Sequence, residues 1–280
     1  MTSDKLPNIR CGFIGLGSQG APIARRIIDA GFTTTLWARR AETLDAYRDT
    51  SAVFVDTIQE LGAAAEHVGI CVVNDDDVRE VCDRLIPAMS AGSRIAVHST
   101  IHPDTCRAVA HQAAGKGIHV IDAPVSGGSP AAEAGVLTLM LGGDEAVISQ
   151  ALPVFESFGK LIVRLGDVGA GQHVKLINNS LLVANMGLAH VAVEAGKALG
   201  VDKDVLCQLL LASSGRSFAL EVISRMESPR GFRHGGALLR KDLRLLSELL
   251  AGRHHAADQL AHAADPFLAE AAQPTDISGV

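Results

Sequence analysis

Aromatic residues are scarce here, 4% of 280 residues with one tryptophan and one tyrosine, yet 48% of the chain is hydrophobic and 28 residues are glycine. That is enough apolar material to bury one large core or two smaller ones, so a folded, two-domain chain is expected. The five cysteines (Cys11, Cys71, Cys82, Cys106, Cys207) are odd in number and show no C-x-x-C spacing. A disulfide framework and a zinc site are therefore not suggested, and reduced, buried thiols are the simpler reading. Long blocks of one charge are also missing: Lys plus Arg number 25 and Asp plus Glu 31, a net charge of −6, which speaks against a nucleic-acid arm. No uninterrupted apolar run reaches the roughly 18 residues of a membrane span. Residues 1–10 are polar, without the apolar stretch of a signal peptide, so no membrane partner and a cytoplasmic location are expected.

What is present is an alternation. Short β-rich runs lie at residues 10–14, 33–37, 69–73, 94–98, 119–121, 137–141 and 161–163, with helix-like stretches between most of them, notably 77–89 and 103–114. This pattern predicts an α/β Rossmann-type, doubly wound domain with a parallel sheet covered on both faces. After the cluster Gly166-Asp167-Val168-Gly169-Ala170-Gly171 the strand signals stop. Residues 172–199 then read as one long, mostly apolar helix ending at Gly200, and further helical patterns follow at 203–212, 217–226, 236–251 and 256–271, broken at Pro229-Arg230-Gly231. The expected division is residues 1–166 as a dinucleotide-binding domain and 167–280 as an all-α substrate and dimerisation domain. A long helix that is apolar nearly all round needs cover on every side, which places it in a bundle centre or a subunit interface and makes a homodimer or larger homo-oligomer the expectation.

Gly15-Leu16-Gly17-Ser18-Gln19-Gly20 follows the first strand and opens a helix, the context in which G-x-G-x-x-G means dinucleotide binding. Gly15 permits the tight turn, Gly17 lets the backbone approach a pyrophosphate, and Gly20 lets helix pack on strand, while the helix N-terminus offers free N–H groups and a positive dipole. The second strand ends in Arg39-Arg40, where an NAD enzyme would carry an acidic residue for the ribose hydroxyls. Two guanidiniums suit a 2′-phosphate instead, so NADP is favoured over NAD. Asn74 and Ser99-Thr100 end the next two strands at the ligand-binding edge, where either could line the nicotinamide side. The run Asn74-Asp75-Asp76-Asp77 is itself best read as a helix cap and first turn.

Asp122-Ala123-Pro124-Val125-Ser126-Gly127-Gly128 closes a strand with a small loop whose successive N–H groups can nest a carboxylate. Lys175 and Asn179 stand at i and i+4 near the start of the long helix, stacked on one face. A lysine and an amide inside so apolar a helix need a chemical reason. His254 and His255 are adjacent and diverge on a helix, so no metal is expected.

With these motifs in view, the chain resembles the 3-hydroxyisobutyrate dehydrogenase family, the β-hydroxyacid dehydrogenases related to 6-phosphogluconate dehydrogenase. The resemblance runs over nearly the whole chain, through the Gly15 loop, Ser99-Thr100-Ile101, the Asp122 loop, Gly169-Ala170-Gly171-Gln172-His173-Val174-Lys175 and Lys241-Asp242-Leu243. It implies an NAD(P)-dependent oxidoreductase that interconverts a small β-hydroxyacid and its semialdehyde or ketone. Lys175 would be the general acid/base, Ser126, Gly127, Gly128 and Asn179 would hold the carboxylate-bearing substrate, and Thr100 and Lys241 would reach the cofactor. Gln19, Ala38, Asn74 and His98 depart from the residues usual in the family, and Arg253-His254-His255 stand where its members extend their last helices. Two other readings compete: an imine reductase on the same fold, against which Lys175 argues, and a non-catalytic NADP-binding module, against which the Lys175 and Asn179 pair argues.

Overall fold

A computed structural model describes residues 8–274; most of the polar stretch at residues 1–10 therefore lies outside the described residues. Two compact units divide inside one helix, between Lys175 and Leu176.

The first unit carries nine strands: β1 (Cys11–Ile14), β2 (Thr34–Trp37), β3 (Val53–Phe54), β4 (His67–Ile70), β5 (Arg94–Val97), β6 (His119–Asp122), β7 (Val125–Ser126), β8 (Leu137–Gly142) and β9 (Gly159–Gly166). Its helices are α1 (Gly20–Asp29), α2 (Ile58–Ala64), α3 (Asp75–Leu85), α4 (Pro103–Ala114), α5 (Gly128–Glu133) and α6 (Glu145–Phe155). The sheet order is β3-β2-β1-β4-β5-β6-β8-β7, with β9 beside β8. The chain runs outward from β1 to β3, then returns to the other side of β1 with β4, the strand-order reversal of a doubly wound fold.

Strands β1 to β6 are parallel, but β8 pairs antiparallel with both β6 and β7. The expected parallel sheet holds from β1 to β6 and gains an antiparallel return at β8. The physical reason lies in β7, a two-residue strand that the sequence reading passed over: the short α5 turns the chain back on itself there instead of making the long crossover that a parallel neighbour requires.

Both faces of the sheet are packed. On one side Phe13, Leu36, Phe155 and Phe158 are fully buried with Ile23 and Ile27 of α1; on the other, Ile70, Val97, Leu61 and Leu85 close against α2 and α3. Each such side chain contributes about 1.5–3 kcal/mol over its exposed state. Local signals agree with the packing: Thr57 and Glu60 form a reciprocal capping box at α2, and Asp144 accepts N–H bonds at the start of α6.

Helix α7 (Ala170–Ala198) bridges the two units, and α8 (Lys203–Leu211), α9 (Phe218–Ser224), α10 (Arg233–Leu250) and α11 (Ala256–Ala271) complete the second. Val183, Met186, Ala189 and Val193 of α7 pack with Leu220, Ile223, Leu239 and Phe267 in its core. With 29 residues and an 18-residue stretch of mean hydropathy 1.4, α7 is long and apolar enough to cross a membrane by length and composition alone, although no uninterrupted apolar run of that length occurs in it. Asn178, Asn179 and His190 interrupt the apolar run, while the many Ala, Leu and Val residues keep its mean high.

Candidate active site

The turn after β1 is built by Gly15, whose φ of 94° lies in the left-handed region and whose hypothetical Cβ would stand 2.2 Å from the Cys71 carbonyl oxygen. Gly17 differs: nothing among the described residues comes within 4 Å of its Cβ position, so space lies open beside the backbone of the loop. Helix α1 then begins at Gly20 without a side-chain cap, and Nε2 of Gln19 is buried without a hydrogen-bond partner among the described residues. Open space, uncapped backbone donors and an unspent amide donor at the strand-order reversal fit the pyrophosphate of a dinucleotide. Arg39 and Arg40 follow β2 on the same edge. The Arg39 guanidinium is 3.1 Å from Asp77 and 3.4 Å from Glu80, and that of Arg40 is 4.0 Å from Glu42.

A second strand end is bolted to the start of α7. Asp122, fully buried, accepts hydrogen bonds from the Gly169 N–H at 2.7 Å and the Gln172 N–H at 2.9 Å. Burial pushes this carboxyl above its ordinary range, and the backbone donors of Gly169 and Gln172 pull the other way. Gly171 is forced by the same contact: a Cβ there would lie 2.2 Å from the Met140 carbonyl oxygen and 2.8 Å from Asp122 Oδ2. Gln172, also fully buried, donates through Nε2 to the Ser99 carbonyl at 2.8 Å and accepts at Oε1 from the Ile101 N–H at 3.2 Å. Ser99 Oγ in turn accepts from the Val72 N–H at 2.8 Å. The ends of β4, β5 and β6 are thereby tied to the first turn of α7, which carries Lys175. Thr100, between the two anchored residues Ser99 and Ile101, is held by its neighbours. Ser126 ends β7, and Gly127 and Gly128 follow at φ of 130° and 71°. Ser129 Oγ donates to the Ser18 carbonyl, joining this loop to the glycine loop.

Lys175 and Asn179 are buried to the same degree, 8% exposed, and lie one turn apart on α7. Within the second unit, Asn179 Nδ2 donates to Asp242 Oδ2 at 2.6 Å, and Lys241 Nζ stands 3.3 Å from Asp242 Oδ1.

Residues 10–166 match the family described as the NAD binding domain of 6-phosphogluconate dehydrogenase, and residues 169–276 match that described as NAD-binding of NADP-dependent 3-hydroxyisobutyrate dehydrogenase. A 2-(hydroxymethyl)glutarate dehydrogenase of Eubacterium barkeri is 36% identical over 217 residues, 76% of this chain and 72% of that protein. The chain belongs to the 3-hydroxyisobutyrate dehydrogenase-like family. An NAD-dependent L-serine dehydrogenase of Pseudomonas aeruginosa is 34% identical over 221 residues, 75% of this chain and 72% of that one. Among solved structures, Mycobacterium tuberculosis 3-hydroxyisobutyrate dehydrogenase with L-serine superposes with a TM-score of 0.85 at 27% identity, covering 96% of each chain. The chain is accordingly an NAD(P)-dependent dehydrogenase of the hydroxyacid type, acting on CH–OH groups.

Two of the departures from the family's usual residues, Asn74 and His98, have structural roles. Asn74 caps α3, its Oδ1 accepting from the Asp77 N–H at 2.9 Å. His98 is buried: its Nδ1 lies 2.9 Å from the Ala123 carbonyl, and its ring stacks on Phe13 at 5.9 Å between centroids. Burial drives its pKa down to about 4, so the ring is neutral. The residues that sequence reading missed are Asp122 and Gln172, which anchor α7, and Asp242, which holds Asn179. Asp122 and Asp242 stood inside quoted motifs, and Gln172 preceded Lys175 by one turn. A buried acid at a strand end is the signal that could have singled out the first.

Proposed function

We propose that this dehydrogenase interconverts a small β-hydroxyacid and its semialdehyde or ketone, using NADP in preference to NAD, with Lys175 as general acid/base. The observation that carries the reading is a buried lysine one turn from an oriented amide, on a helix whose first turn is fixed by Asp122 and Gln172.

When bound, the nicotinamide supplies the hydride acceptor or donor. In oxidation a neutral Lys175 takes the hydroxyl proton as hydride leaves the carbon; in reduction a charged Lys175 returns it. Ser126 and the backbone N–H groups of Gly127 and Gly128 hold the substrate carboxylate, and Asn179, oriented by Asp242, holds the hydroxyl oxygen. Leu16, Ser18 and Gln19 line the phosphates with the three loop glycines, and Thr100 and Lys241 reach the cofactor. The relatives support the substrate class, since 2-(hydroxymethyl)glutarate, L-serine and 3-hydroxyisobutyrate each carry a primary alcohol near a carboxylate. For NADP the support is the pair Arg39 and Arg40 at the end of β2, where a 2′-phosphate would meet two guanidiniums.

A spectrophotometric screen of NADPH and NADH against short semialdehydes, 2-hydroxymethyl acids and cyclic imines tests the proposal. Turnover of the first two classes is expected. Turnover of imines alone would assign an imine reductase, and cofactor binding with no turnover in any class would assign a non-catalytic module.

We further propose self-association through α7. Ile177, Leu181, Leu188 and Val191 fall on one stripe of the helix, each about half exposed. Light scattering should give a mass of at least twice 29.2 kDa, and a monomer at micromolar concentration would contradict it.

A further inference from the structure

The acidic start of α3 is more than a helix cap. Arg39 Nη2 lies 3.1 Å from Asp77 Oδ1 and 3.4 Å from Glu80 Oε2, both on that helix. Arg39 follows β2 and Asp77 follows β4, and β1 lies between these two strands. The pair therefore joins segments that follow strands two spacings apart, about 9.5 Å, on either side of β1, from whose end the Gly15 loop emerges. At this reversal of strand order the adenosine half of a dinucleotide enters the crevice. Asp77 is the more sheltered partner, with 20% of its side chain exposed against 65% for Arg39, so the carboxylate is the fixed end of the pair and the guanidinium the movable one.

We infer that Asp77 and Glu80 are specificity-determining residues that hold Arg39 back from a 2′-phosphate and so moderate the preference for NADP over NAD. The inference rests on the reading of Arg39 as a 2′-phosphate ligand. A 2′-phosphate must draw Arg39 away from two carboxylates or share it with them, and it must also lie near their negative charge. A 2′-hydroxyl meets neither cost, so NAD binds without disturbing the pair. The strength of discrimination is then set by acids on α3 as much as by arginines after β2, and a chain with two arginines can still accept both cofactors.

The test is calorimetric titration of the full chain with 2′,5′-ADP and with 5′-AMP, comparing wild type, Asp77→Asn, Glu80→Gln, Arg39→Ala and Asp77→Asn combined with Arg39→Ala. Asp76→Asn, in the same helical turn, controls for the general loss of negative charge. Asp77→Asn is expected to raise affinity for 2′,5′-ADP about two- to fivefold, the usual worth of an exposed ion pair, to leave 5′-AMP unchanged, and to give no gain once Arg39 is alanine. Glu80→Gln, farther from the guanidinium, should act in the same direction and less. Equal gains in Asp77→Asn and Asp76→Asn, a gain that persists without Arg39, or no gain at all would overturn the inference. If Arg39→Ala weakens 2′,5′-ADP while Asp77→Asn changes nothing, only the role of the acids fails. If Arg39→Ala leaves both ligands unchanged, the NADP reading itself fails.

Discussion

Helices α1 and α7 both start on glycine-rich loops, and they use glycine for opposite ends. At the start of α1, Gly17 has open space where a side chain would begin, no side chain caps the helix, and the Gln19 amide has an unspent donor. At the start of α7 the space is already taken: Asp122 fills the cap, and the backbone of Met140 presses where a Gly171 side chain would go. The first start is prepared for a ligand's negative charge, the second is neutralised by the protein's own carboxylate. What separates them is not glycine content but whether an acid from a neighbouring strand end has occupied the helix N-terminus. A neutralised start anchors a helix, and here it anchors the one that carries Lys175.

The largest effect expected from this division is on rate. Lys175→Ala should fold and bind NADPH, since the proposed phosphate contacts belong to the α1 start and to Arg39, yet lose turnover by about two to four orders of magnitude. Equal loss of cofactor affinity, read by calorimetry on the same protein, would break the division of labour. Next in size is Gly171→Ala, which drives a methyl against Met140 and Asp122 and should cost about 3 kcal/mol of stability, seen as a lowered urea midpoint. A wild-type midpoint would show that the α7 start has room to spare.

The third effect is of pH. His98, under the strand end that caps α7, titrates near pH 4 in the folded chain against an ordinary 6.5, and burial also holds His67 well below that value. At these two histidines the unfolded chain therefore binds more protons than the folded one as pH falls below about 6.5, down to about 4 for His98. Stability is complete above that window and falls as pH drops through it, by up to about 3 kcal/mol for His98 at the acid end. A urea midpoint that stays level from pH 7 to pH 4.5 would contradict the burial argument. The smallest structural effect belongs to Gly17→Ala: stability within about 0.5 kcal/mol of wild type, because the new methyl meets no protein atom, and weaker NADPH binding, because it meets the cofactor instead. Loss of stability without loss of affinity would reverse the roles of the two glycine starts.

Much of this was legible in the residues. Gly15, Gly17 and Gly20 carry their meaning in local spacing, and the alternation of strands and helices names the layers. The long helix announces itself by length and composition, and Lys175 by standing polar in an apolar run. What stayed hidden depends on residues brought together from afar. Asp122 meets Gly169 across 47 positions and Gln172 meets Ser99 across 73, and no periodicity relates them. The antiparallel return at β8 was hidden for another reason, since a two-residue strand such as Val125–Ser126 has no pattern to read. Arg39 was legible as a cation following β2, whereas its partners on α3 looked like nothing more than a helix start.

The central claim is that one titrating side chain, Lys175, moves the proton. The most direct measurement is the pH dependence of kcat in the oxidation direction, for wild type and for Lys175→Ala, with the best substrate from the screen and saturating NADP. The wild-type rate should rise with pH through a single ionisation, as the base form accumulates, and that limb should vanish in Lys175→Ala. The same limb, at the same pH, in the alanine variant would contradict the account, because the proton would then be carried by another group.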